Sequence, residues 1–74
     1  MVIVCQDKSV IVNFKNIKSI FYDSDDTKKV IFAMLSDRCN ITLGKYKSEK
    51  RVLEIMDNIV DYISLDVNFL MPEK

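Results

Sequence analysis

Three aspartates crowd together behind an aromatic pair in the run Phe21-Tyr22-Asp23-Ser24-Asp25-Asp26-Thr27. The spacing, apolar-Asp-x-Asp-x-Thr, is that of phosphatases in which one aspartate attacks phosphorus and the next handles protons. That chemistry requires both carboxylates at the carboxyl end of a parallel strand in a doubly wound domain. It also requires a lysine and further acids from separate segments, and a chain of 74 residues cannot build such a domain. The run fails as a calcium-binding loop as well: the sixth position is not glycine, and the twelfth is Met34 in place of glutamate. What remains is an acidic hairpin turn.

Other catalytic arrangements lack their parts. The chain has no histidine, which excludes triads built on an imidazole base. Its only glycine, Gly44, cannot form a glycine-rich phosphate loop. Cys5 and Cys39 have no histidine to activate them, and two widely spaced thiols do not easily make a zinc site. A Cys5–Cys39 disulfide, possible on paper, finds no secretory signal to support it. Eleven acidic side chains offer many carboxylate pairs, but no spacing singles one out. The expectation is a protein that is not an enzyme and uses no cofactor and no metal.

One constellation departs from a physical rule. Ser48 is placed to cap a helix, and the approach to that helix is basic, with Lys45, Lys47, Lys50 and Arg51. The later turns are acidic, with Asp57, Asp61 and then Asp66. The helix dipole prefers the reverse, at a cost of roughly 0.3 kcal/mol for each misplaced exposed charge. Solvated charges tolerate such an arrangement. Two functional readings also account for it. Antiparallel packing of two copies lays the basic end of one helix against the acidic end of the other. Alternatively, the free amides and the four cations bind phosphate or another anion.

The elements that position these residues are legible from pattern. Residues 2–5, 10–12, 17–22, 29–35 and 40–43 read as five short strands, separated by turns of Asn, Asp and Ser. Successive short connections favour an antiparallel meander. Gly44 marks a bulge or a close backbone approach at the end of the fifth strand. From Val52 onward, apolar residues at 52, 53, 55, 56, 59, 60, 62 and 63 trace the face of an amphipathic helix. Residues 67–71 follow as a short added strand or an apolar tail, and Pro72 ends regular structure. The expected architecture is a single α+β domain over residues 1–74: a small antiparallel meander with one C-terminal helix packed on it. Strand 30–35 is apolar on both faces and the helix stripe is wide, which points to surface that a second copy would bury.

Composition limits the partners. A content of 49% hydrophobic and 30% charged residues excludes disorder. The longest apolar run, residues 30–35, is far below a membrane span. Net charge is zero, which disfavours a nucleic-acid module. The start, Met1-Val2-Ile3-Val4, lacks the basic leader and long apolar run of a signal peptide. The expectation is a cytoplasmic protein with both thiols reduced and packed.

Three segments resemble a set of short proteins of Firmicute bacteria and their phages or integrated elements. They are Ile3-Val4-Cys5-Gln6-Asp7, Ile11-Val12-Asn13-Phe14-x-Asn16-Ile17 and Leu43-Gly44-x-Tyr46-x-Ser48-Glu49-x-Arg51, with Met71-Pro72 near the end. Val52 departs from that pattern, which has a small residue such as alanine there. The resemblance implies a cytoplasmic location and a mobile-element origin, and no established activity. By analogy with small phage-type proteins, which often bind a host component, the resemblance favours a binding role. The leading expectation is therefore a self-associating interaction protein that engages a second copy or a host protein. Its contacts would be the helix face and the apolar tail, with Phe69 and Leu70 as contact residues. The alternative is a binder of a small phosphorylated ligand through Asn13, Tyr46, Lys47, Lys50 and Arg51.

Overall fold

The computed structural model describes residues 1–24, 27–35 and 39–74. The fold is α+β: the described residues form six short strands in two three-stranded sheets, with one C-terminal helix. Strands β1 (Val2–Val4) and β2 (Ile11–Asn13) form an antiparallel hairpin. Strands β3 (Ile17–Ser24), β4 (Lys29–Leu35) and β5 (Asn40–Tyr46) form an antiparallel meander. Helix α1 spans Glu49–Leu65, and β6 (Phe69–Leu70) returns to lie parallel to β1.

The strands expected to form one meander thus divide between two sheets, ordered β2-β1-β6 and β3-β4-β5. The break lies at Asn13. Its side-chain oxygen accepts from the Lys15 amide at 3.1 Å, opening a 3-10 turn over Phe14–Asn16. That turn swings the chain out of the first sheet before β3 begins. Of the two turns expected from the sequence, the acidic one after Asp23 lies partly, and the one at 36–38 wholly, outside the described residues.

Alternation assigns the faces of the larger sheet. Ile20 and Tyr22 of β3, Ile31, Ala33 and Leu35 of β4, and Ile41, Leu43 and Tyr46 of β5 pack in or against the core. Phe21, Val30, Phe32 and Met34 point the other way and remain half-exposed, with Phe21 and Phe32 stacked at 5.4 Å between centroids. Strand β4 is apolar on both faces, yet only one of them meets the core.

Helix α1 buries Val52, Ile55 and Ile59. Ser48 caps it as expected, accepting from the Arg51 amide at 3.1 Å. The helix stops at Asp66, which adopts φ 54° and ψ 43°. There the Val67 amide reaches back to the Tyr62 carbonyl, the pattern of a left-handed helix stop. Ile3, Val12, Phe69 and Met71 complete the core from the smaller sheet and the segment that follows it.

Candidate functional site

The basic helix entrance is a cleft, but the chain's own C-terminal segment lies across it. Lys45, Tyr46, Lys47, Ser48 and Arg51 line one side, with Glu73 and Lys74 on the other. Tyr46 is 3% exposed, and its hydroxyl donates to the Pro72 carbonyl at 2.7 Å. Burial pushes this phenol up to about 12, against a smaller opposing pull from Arg51. Arg51 donates through Nε to the Lys74 carbonyl at 2.8 Å, and its Nη1 lies 3.9 Å from Glu54. Lys47 and Lys50 are exposed.

Gly44 explains how Tyr46 reaches this position. The β4–β5 register shifts between Ile31 opposite Gly44 and Phe32 opposite Thr42, leaving Leu43 as the extra residue of a bulge. The Tyr46 ring folds back over Gly44 so closely that a Cβ there would sit 2.7 Å from the hydroxyl oxygen. The expected bulge and close approach are both present, although β5 continues past them to Tyr46.

Gln6 contributes without any signal in the sequence. Its amide Oε1 accepts from the Lys45 N–H at 2.8 Å, while Nε2 donates to the Lys45 carbonyl at 3.0 Å. Its backbone amide adds a bond to the Leu43 carbonyl at 2.7 Å. The side chain therefore stands in for a strand along the free edge of β5 and joins the two sheets. Nε2 also donates to the Glu73 carbonyl at 2.9 Å. Three consecutive carbonyls, of Pro72, Glu73 and Lys74, thus accept from Tyr46, Gln6 and Arg51 respectively.

Asn13 does not belong to this group. It pairs with Val2 in β1, and the Val2 amide donates to Asn68 just beyond the C-terminus of α1. Most of the 17-residue helix, about 20 Å, separates that end from Arg51. The side chain of Asn13 is spent on its own turn. Phe69 is not at the surface where a contact residue was expected: it is 4% exposed, lies in the core, and meets Tyr62 edge-on at 4.8 Å. Parallel pairing with β1 turns it inward opposite Ile3 and turns Leu70 outward opposite Val4. Leu70 alone of the two is available to a partner, at 61% exposed. The cysteines separate likewise: both are free, Cys5 is buried, and Cys39 is exposed where packing was expected.

A small polar knot closes the β1–β2 turn. Asp7 accepts at Oδ1 from the Cys5 thiol at 2.9 Å, the Ser9 hydroxyl at 2.6 Å and the Ser9 amide at 2.9 Å. These donors hold its carboxyl down to about 2, the thiol foremost. Lys8 completes the turn with φ 64°. The thiol, the hydroxyl and the carboxylate satisfy one another within the turn, which makes it a structural device. Among the described residues no three Cys, Asp or Glu side chains converge as metal ligands, and no helix is long and apolar enough to cross a membrane.

The apolar surface of α1 is the other candidate. Leu53, Met56, Val60 and Ile63 recur at intervals of three, four and three, within an arc of about 80° at 100° per residue. Met56, Val60 and Ile63, with Ile59, form the helix wall of an open groove whose other side is Phe14, Ile17 and Ile20. Val60 is 60% exposed and Leu53 45%. Helix α1 makes its main contacts with β4 and β5, so the inner side of β3 is left as the groove floor. This spacing was present in the sequence within the wide apolar stripe.

Comparison of the chain with protein-family models, with curated proteins and with solved structures finds no match to any of them.

Proposed function

We propose that this is a non-enzymatic, cytoplasmic interaction protein of the phage or mobile-element type, which self-associates by pairing α1 with α1 of a second copy. The observation that carries the reading is the strip Leu53-Met56-Val60-Ile63, which combines a helix-pairing period with exposure at Leu53 and Val60. The strip is self-complementary about a two-fold axis near its middle. Leu53 then meets Ile63 of the second copy, and Met56 meets Val60. Each helix also covers the groove floor over β3 of the other copy.

Charge supports the antiparallel sense. The pairing sets Lys50 of one copy about 8 Å along the axis from Asp61 of the other, inside a Debye length. The two Asp57 side chains flank the axis and offset part of this gain. The anion-binding alternative has less support, because Tyr46 and Arg51 already donate to carbonyls of the 69–74 segment and Asn13 lies at the other end of the molecule. A host protein seated on the same strip is the competing occupant.

Sedimentation equilibrium at low and high salt tests the reading. The expected result is a dimer that weakens as salt rises and is lost in Val60→Asp. A chain that stays monomeric throughout removes self-association and leaves the strip to a different partner.

A further inference from the structure

The segment 69–74 is held as a bound peptide would be. β6 adds to the edge of β1, with Ile3 opposite Phe69 and Val4 opposite Leu70, and the Met71 amide continues the ladder to the Val4 carbonyl at 3.0 Å. Beyond it, Tyr46, Gln6 and Arg51 take the carbonyls of residues 72–74 in order. Most of these polar contacts are made to main chain, while Phe69 and Met71 fill two apolar sites in the core. Only residues 66–68 connect this segment to α1, and the first of them, Asp66, carries a positive φ without being glycine. The hinge is therefore short and conformationally costly. An Asn68 side chain that accepts from the Val2 amide at 2.9 Å latches it.

From this arrangement we infer that β1 together with the Gln6–Tyr46–Arg51 carbonyl clamp is an exchangeable strand site, and that its second occupant is the 69–74 segment of another copy. An opened chain exposes the β1 edge and two vacant core positions, and a second opened chain supplies the matching segment. Each of these contacts is then remade between copies, and only the hinge changes conformation. Closure within one chain prevails at low concentration, and exchange gains as concentration rises. Helix pairing plays no part in the exchange.

The test uses full chains with Cys39→Ser, one bearing Val4→Cys and the other Leu70→Cys, mixed at millimolar concentration, warmed below the unfolding transition and then oxidised. Positions 4 and 70 are direct neighbours across β1 and β6 on the outer face of that sheet. The expected product is the mixed dimer with a disulfide joining position 4 of one chain to position 70 of the other, above the share that random pairing gives. Asn68→Ala should increase it, and Val60→Asp should leave it intact. Ile11→Cys is the control, because β2 lies on the far side of β1 from β6 and should not cross-link to position 70. A mixed product no greater than random overturns the inference. An Ile11→Cys product equal to that of Val4→Cys also overturns it, by showing face-to-face packing of the sheets.

Discussion

Replacing Val60 separates surface association from folding, because its side chain is 60% exposed in the single chain. Fully burying a valine is worth about 1.5 kcal/mol at the low end. Covering the exposed part in a helix pair therefore contributes about 1 kcal/mol for each copy. The two-fold axis repeats the contact, so Val60→Ala should cost about 2 kcal/mol of association, or about 30-fold in Kd. Val60→Asp adds two carboxylates to a seam that already has Asp57 beside its axis, and should abolish the helix-paired dimer. The isolated fold should barely respond, since Val60 is surface and alanine is the better helix former. Sedimentation equilibrium reads the association and thermal circular dichroism reads the fold. A Kd unchanged by Val60→Ala, or a Tm that collapses along with the dimer, would overturn this account of the strip.

Gly44→Ala drives a Cβ to within 2.7 Å of the Tyr46 hydroxyl and 2.8 Å of Cε2. The ring must move off the Pro72 carbonyl, so denaturant melts should show a loss of about 1–3 kcal/mol. Tyr46 also sets an alkaline limit. Its folded phenol is raised from 10.0 to about 12, so folding favours the neutral phenol: the gain is intact below pH 10 and is lost as pH rises from 10 through 12. The loss is about 1–2 kcal/mol after allowance for solvent screening. In Tyr46→Phe this alkaline step should be absent from the stability–pH curve, with about 1 kcal/mol lost at neutral pH through the unpaired carbonyl. Ser48→Ala removes the acceptor for the Arg51 amide and should lower stability by about 1 kcal/mol in the same melts. Asp7 acts at the acid end: its carboxyl is held near 2, so the turn keeps its hydrogen bonds until pH falls from about 4 through 2. NMR titration of the Ser9 amide in the folded protein should have its midpoint near 2, below the ordinary carboxylate value of 3.8.

Much of this protein follows from local chemistry. Ser48 caps the helix because a hydroxyl beside free amides needs no tertiary context, and Gly44 marks a bulge because only glycine tolerates the ring that folds over it. The period-two runs became strands and the 3.6-residue stripe became α1. The absence of histidine and the single glycine exclude whole classes of catalysis on composition alone. Tertiary packing settles what depends on residues far apart in the chain. Nothing near Asn13 in sequence says that its side chain turns the backbone out of the first sheet, or that it lies most of a helix length from Arg51. Phe69 and Leu70 look alike as apolar residues in a tail, and only the register of β6 on β1 sends one into the core and the other to solvent. Gln6 acquires its role because the end of β1 passes the free edge of β5, a meeting set by packing alone. The wide apolar stripe of α1 was legible as a surplus. Which part of it stays open, exposed Leu53 and Val60 with half-buried Met56 and Ile63 beside the floor of β3, follows from where the sheet ends.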